Sequence, residues 1–277
     1  MNIHFNDHEL FSALEKNTIS SFKIGSHLYG LNNDTSDLDI LHIYLEPQKN
    51  RNSFVWEHHQ LQYKSNDTDY IFTTLQSFIR NLLTGDSTIN FEILYSDYIQ
   101  YTPLSWLGEI RDDFRNYNII KSYLGMAKRD YKAWVKATNN GNKHSVETNK
   151  QLSHFIRGVI FAKNLLDNKF SLDLNNSKTF KETNYNDFEL VHRIKNGCLD
   201  YSFSSLLLFF LQLMDNTRSE LNKLLDDRKI YKVMSPDKLK LLDEKIINVS
   251  DSVNLNNIPL NYNTLFFEVI ENGLNYN

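Results

Sequence analysis

Two apolar runs, residues 19–24 and 40–45, enclose Gly25-Ser26-His27-Leu28-Tyr29-Gly30-Leu31-Asn32-Asn33-Asp34-Thr35-Ser36-Asp37-Leu38-Asp39. This arrangement constrains the fold more than any other feature of the chain. It predicts a strand, a Gly-Ser turn, a short connector, and a second strand that opens on two aspartates one residue apart. Residues i and i+2 of a strand share a face, so the Asp37 and Asp39 carboxylates must lie close together. Unaided, they would repel and one would hold a proton. A divalent cation removes that penalty, and oxygen-only donors favour Mg²⁺ or Mn²⁺. Gly25 lets backbone approach a ligand closely, and the amide and hydroxyl of Ser26 can grip a phosphate. A metal beside a phosphate grip is the apparatus of phosphoryl or nucleotidyl transfer. At average residue usage this spacing would arise by chance in such a chain with a probability on the order of 10⁻³. The competing account is a surface Asx turn carrying solvated acids.

Composition sets the outer limits. The 277 residues allow one large or two modest domains, and 41% apolar content can fill a core. The single cysteine, Cys198, rules out an internal disulfide and is expected as a small buried side chain. Residues 1–10 mix His, Asn, Asp and Glu, unlike a signal peptide, and the densest apolar run, 206–213, is broken by Gln212 and too short to span a membrane. The expected setting is soluble, reducing and cytoplasmic, without a membrane partner. A net charge of −4 and a pI of about 6.1 argue against broad, sequence-independent nucleic-acid binding, though not against a local basic groove. The load of Asn, Lys, Ile, Phe and Tyr suits an AT-rich genome, such as that of a phage or a low-GC bacterium.

Periodicity predicts a first helix over 7–17 with Asp7 as N-cap, strands over 19–24 and 37–45, an outer strand within 54–64 and a further strand over 69–72. Apolar residues on both faces of 37–45 make it a central strand. An amphipathic helix over 74–83 ends at Gly85, and another covers 88–95 with Asp86 or Ser87 as its cap. Beyond Pro103 the pattern turns helical over 116–137, 145–168, 187–197, 202–226 and 235–246, with a surface loop over 171–187 that has room for one short strand. The fold class is therefore α+β, a mixed sheet with flanking helices followed by a helical C-terminal domain. The division falls at residues 1–112 and 113–277.

Gly25-Ser26, Tyr29-Gly30, Ser36-Asp37 and Asp39 resemble the signature of the DNA polymerase β-like nucleotidyltransferase superfamily. Within it, Tyr29 and Gly30 resemble the branch of RNA-repair-pathway-associated predicted nucleotidyltransferases, which includes many phage proteins. The resemblance covers roughly residues 19–160 and implies the polymerase-β-like sheet. It also implies a third carboxylate on a later, neighbouring strand, completing the metal that serves the attacking hydroxyl. Asp69 fits that place best, adjoining the strand and standing just before the next helix, while Asp67 is the alternative. The segment from Gly85 to Glu92 resembles the family's stretch after that helix, where a glutamate follows a Gly- and Asn-containing turn; helix capping by Gly85 and by Asp86 or Ser87 is its first reading, and bracing of the active-site turn by Glu92 the second. Lys150, His154 and Arg157, spaced i, i+4, i+7 on one helix face, resemble the branch's Lys-x-x-x-His-x-x-Arg helix. Converging cation donors of that kind suit a triphosphate. A second lysine row, Lys121, Lys128 and Lys132 with Tyr131 and Trp134, reads as a solvated face before it reads as a stacking surface for RNA.

The function so implied is metal-dependent transfer of NMP from an NTP, ATP included, with pyrophosphate released. Asp37, Asp39 and Asp69 are the catalytic and metal residues, and Gly25, Ser26, Lys150, His154 and Arg157 bind the nucleotide. An RNA end is the first candidate acceptor, with a protein or small-molecule hydroxyl also open. The alternative is a non-catalytic nucleotide- or RNA-binding module on the same fold.

Overall fold

The computed structural model describes residues 2–4, 11, 14–33, 36–45, 60–65, 68–141, 145–198, 203–226 and 236–252. Of the first helix expected over 7–17, residues 11 and 14–17 are described; 11 and 14–16 are helical, and Asn17 is already in a turn. Residues 54–59 of the expected outer strand lie outside the described residues, as does Asp67.

Five strands form one sheet: β1 (Asn2–His4), β2 (Thr18–Ile24), β3 (Leu38–Tyr44), β4 (Gln60–Ser65) and β5 (Thr68–Thr74), in the spatial order β1-β4-β5-β3-β2. β2 pairs antiparallel with β3 and β4 with β5, whereas β3 and β5 run parallel, as do β1 and β4. The sheet is therefore mixed, as the sequence implied. β3 is an inner strand, and Leu41, Ile43, Tyr44 and Leu45 at its far end are buried. That burial explains its apolar run on both faces.

Helix α1 (Leu75–Thr84) follows β5 directly and buries Leu75, Phe78, Ile79 and Leu82. These positions follow i, i+3, i+4, i+7, so one stripe of the helix faces inward, each side chain contributing roughly 1.5–3 kcal/mol. Helix α2 (Thr88–Tyr95) starts where the Ser87 hydroxyl accepts a hydrogen bond from the Asn90 amide at 3.2 Å. Gly85, between these helices, has φ of +71°, and a Cβ there would collide with the Asn116 side chain. A short helix, α3 (Ser105–Glu109), is followed by α4 (Tyr117–Asn139), α5 (Val146–Leu166), α6 (Asp187–Lys195), α7 (Phe203–Asp226) and α8 (Pro236–Ser252). The segment 171–186 is irregular and carries no strand. Among the described residues no helix is long and apolar enough to cross a membrane.

The chain forms two compact units. One takes the described residues within 1–83, 96–111 and 234–277, and the other takes 84–95 and those within 112–233. In the second unit α4 and α5 pack tightly where Gly158 meets Ala127, since a Cβ on Gly158 would stand 3.2 Å from the Ala127 Cβ. Asn116 and Ser145 cap these helices, accepting from the Ile119 and Thr148 amides at 3.1 Å each. Glu92 is buried here and accepts a hydrogen bond from the Tyr123 hydroxyl at 2.9 Å, which gives it a structural role within this unit. Cys198 corrects the expectation of a buried thiol: it is exposed, because it lies just past the end of α6.

His42, on the inner strand β3, gives a pH prediction. It is buried, stacks 4.7 Å from the Phe72 ring, and its Nδ1 lies 2.9 Å from the Ser21 hydroxyl. Burial pushes its pKa down to about 4. The unfolded chain takes up this proton near pH 6.5 and the folded chain near pH 4, so stability falls as pH drops through that window. At pH 5 the loss is about 2 kcal/mol. Thermal melts of wild type and His42→Phe at pH 7 and pH 5 should show the smaller acid-induced drop in the variant. Equal drops would remove His42 as the cause.

Candidate active site

The first unit carries the aspartates. Asp39 on β3 lies in register with Asp69 on β5, and Asp69 in turn pairs with Lys64 on β4. Residues in register on neighbouring strands project to one face about 4.8 Å apart, so Asp39, Asp69 and Lys64 form a row across three strands. Lys64 Nζ lies 3.2 Å from Asp69 Oδ1. The hydrogen bond and charge of Asp69 raise the Lys64 pKa, and the charges of Asp37 and Asp39 raise it further. All three carboxylates are thus within electrostatic reach of one ammonium group. Asp37 is exposed, one residue ahead of the strand.

The loop that delivers these acids is closed locally. Ser36 donates its hydroxyl proton to Asn33 Oδ1 at 2.8 Å and accepts from the Asn33 amide at 2.9 Å, while its own amide bonds the Asn33 carbonyl at 2.9 Å. The serine of the Ser-Asp pair is therefore a clasp that fixes where Asp37 leaves the connector.

At the end of β2 the Gly-Ser turn forms one turn of 3₁₀ helix, Gly25–His27, in which the Gly25 carbonyl accepts from Leu28 at 3.2 Å and that of Ser26 from Leu31 at 2.9 Å. Ile24 pairs with Asp39 across the ladder, which brings the turn beside the carboxylate. Gly25 has φ of +63°, and a Cβ there would stand 2.9 Å from Asp39 Oδ2. The left-handed backbone favours glycine, and any side chain there would displace the Asp39 carboxylate. Gly25→Ala is expected to cost about 1–2 kcal/mol for the left-handed backbone alone and to push the Asp39 carboxylate aside. Denaturant melts and transfer assays check this, and a variant with wild-type stability would refute the backbone argument.

The donors suit a hard divalent cation, being carboxylate oxygens only, with Asp39 and Asp69 already neighbours. Among the described residues no three His, Cys, Asp or Glu side chains are yet drawn together in ligating geometry. Lys64 supplies positive charge at that face. Lys64 is the residue that sequence reasoning missed. No periodic or turn signature in the sequence marks it; its place follows from the β4–β5 register, which pairs 64 with 69.

In the second unit, α5 carries Lys150, exposed, His154, partly covered, and Arg157, buried at 7% exposure. His154 is pushed down to about 3 by burial first, then by the charges of Arg157, Lys150, Lys195 and Arg129. Lys150, Arg157 and Arg129, together with Lys195 from α6, are thus close enough to act electrostatically on His154. Trp134, from the second lysine row, is buried at 9% exposure with its ring 6.0 Å from that of Tyr131, so it offers no open stacking surface.

A family model described as RNA repair pathway DNA polymerase beta family matches residues 7–196. A solved nucleotidyltransferase-like protein from Exiguobacterium sibiricum 255-15 aligns over 87% of this chain and 86% of its own, at 12% identity and a TM-score of 0.33. No curated protein matches the chain.

Proposed function

Since the chain belongs to the RNA repair pathway DNA polymerase beta family, we propose that it is a metal-dependent nucleotidyltransferase that moves an NMP from an NTP to an acceptor hydroxyl. The observation that carries this reading is the registered pair Asp39 and Asp69 with the Gly25 backbone against Asp39. Asp37 and Asp39 would hold Mg²⁺ or Mn²⁺ at the nucleotide, and Asp69 would complete the ligands on the acceptor side. Bound there, the cations would neutralise charge on the phosphates and make the acceptor oxygen more nucleophilic. Gly25 and Ser26 would receive the phosphates at the turn, its backbone close enough because it lacks a Cβ. Lys150, His154 and Arg157 are the candidate nucleotide-binding residues of the second unit. The acceptor oxygen bonds to the α-phosphorus, its proton is released, and the bond to the β-phosphate oxygen breaks so that pyrophosphate leaves.

The family setting makes an RNA end the first acceptor to test, with a protein or small-molecule hydroxyl next, in the cytoplasm of the cell or, for a phage gene, of its host. Purified protein, each α-labelled NTP, Mg²⁺ and total cellular RNA or protein should yield a labelled acceptor and free pyrophosphate. One observation favours a second reading, a non-catalytic nucleotide- or RNA-binding module: Lys64 already offsets the charge of Asp69. Nucleotide binding with no pyrophosphate release from any NTP, with Mg²⁺ or Mn²⁺, would establish that alternative.

A further inference from the structure

We propose that α4 presents a docking surface for the phosphate backbone of a single-stranded nucleic acid, a stripe of Lys121, Lys128, Lys132 and Lys136 with Gly125 marking where the strand comes closest. Naming that strand as the RNA acceptor rests on the proposed transferase activity, while the surface itself does not.

The two sides of α4 have opposite characters. At 3.6 residues per turn, Lys121, Gly125, Lys128, Arg129, Lys132 and Lys136 fall within an arc of about 100°, and all six are exposed. The opposite side carries Ile119, Ile120, Tyr123, Leu124, Ala127 and Trp134, which are buried. Packing of that side against α5, where Gly158 meets Ala127, fixes the direction in which the cations face. The one acidic residue of α4, Asp130, lies on the buried side and accepts from Arg129 Nε at 2.9 Å. The exposed stripe therefore carries a single sign of charge, on a chain whose net charge is −4. Among the described residues Lys128, Lys132 and Lys136 meet no carboxylate at ion-pair distance. Lys121 Nζ stands 4.5 Å from the centroid of the Tyr117 ring, a contact that holds the ammonium without neutralising it.

Gly125 is the second, independent observation. Glycine inside a helix costs stability relative to alanine, so it calls for a reason. Tight packing and a left-handed backbone are both absent here: Gly125 is exposed, its φ is not positive, and a Cβ added to it would meet nothing within 4 Å. Glycine also admits close approach to the backbone, and this one sits between Lys121 and Lys128, where a side chain would hold a bound strand away from the helix. From residue 128 to 136 the lysines step about 6 Å along the axis, and the whole stripe runs about 22 Å. A phosphate backbone can follow such a ladder charge by charge. A membrane surface would call for apolar side chains beside the cations, and a peptide for a hydrophobic anchor. None of the exposed large apolar side chains of the described residues is on α4. With Trp134 packed away, no open ring accompanies the lysines, so they meet phosphates and leave base identity unread.

Fluorescence anisotropy of the full-length protein in EDTA reads this surface without metal or transfer. A labelled oligouridylate longer than the stripe should bind, with log affinity falling against log salt at a slope of about −3, the value for four contacts to a single strand. Lys128→Gln/Lys132→Gln/Lys136→Gln should flatten that slope by about 2 and weaken binding about ten- to a hundredfold. Lys169→Gln/Lys178→Gln/Lys181→Gln, the same loss of charge on the irregular segment, should bind as wild type does. Gly125→Gln should weaken binding severalfold while raising the melting temperature. A DNA strand of equal length should dock as well as RNA, and transfer of label to one and not the other identifies the natural strand. The proposal is overturned if the folded variant at 128, 132 and 136 binds as wild type does, or if the two triple variants lose affinity equally. It is also overturned if polyglutamate or anionic vesicles bind more tightly than the oligonucleotide with the same dependence on the three lysines, which would make the partner a protein or a membrane. Transfer activity that persists without docking in EDTA would leave the proposed function intact and remove the surface. Docking in EDTA without any transfer would leave the surface and remove the function.

Discussion

Asp39→Asn is expected to lower nucleotide transfer by about three orders of magnitude while leaving the fold intact. Metal coordination at a transferring phosphoryl group supplies several kcal/mol of charge stabilisation, and 1.36 kcal/mol is a factor of ten in rate. Asparagine has the shape of aspartate, so the contact with the Gly25 turn and the pairing with Ile24 and Asp69 persist. What changes is the charge. Three carboxylates act on one ammonium at this face, and removing one relieves mutual repulsion. The apo variant should therefore melt at the wild-type temperature or above it. A ligand that binds only the folded state raises the melting temperature by mass action, so Mg²⁺ with NTP should stabilise wild type and not Asp39→Asn. Asp37→Asn should behave in the same way. If wild type gains nothing from the pair and both variants match it, the aspartates do not form a metal site.

Much of this was legible in the sequence because it was local. The two strands around the Gly-Ser turn, the inner position of β3 and the stripe on α1 follow from periods of two and 3.6 over short windows. Only half of the aspartate pair lies in the strand: Asp39 is on β3 in register with Asp69, whereas Asp37 stands one residue ahead of it, where the i, i+2 rule no longer fixes its direction. Lys64 and Lys195 were not legible, because their roles depend on partners in other elements. Lys64 matters through the β4–β5 register, and Lys195 because the Gly197 turn seats the end of α6 against Asn149. Cys198 was misread for a related reason. Residue type gave it a burial preference, but its place at the end of α6, where its amide bonds the Arg193 carbonyl and closes the last turn, leaves it exposed. The segment 171–186 has the polar composition of a loop, yet Asp187 gathers it through Thr179, a tertiary contact with no periodic signature.

Asp69→Asn should reduce kcat about a hundred- to a thousandfold while nucleotide affinity stays within about threefold, a split that separates Asp69 from Asp39. The reasoning is positional. A ligand on the acceptor side acts when the attacking oxygen is activated, so its loss falls on the chemical step and spares ground-state binding. The stability cost should be small, because the Lys64–Asp69 pair is solvent-accessible, with side-chain exposures of 66% and 42%, and solvent screens exposed pairs. Loss of the acid also releases Lys64, and that alone could disturb the site. Lys64→Met resolves the two causes: if the released lysine were to blame, the double variant Lys64→Met/Asp69→Asn would recover activity, and we expect none. Asp67→Asn should stay close to wild type, because it is Asp69 that stands in register with Asp39. An inactive Asp67→Asn beside an active Asp69→Asn would transfer the role of third carboxylate to Asp67, and the register of β3 with β5 would then no longer identify the ligand.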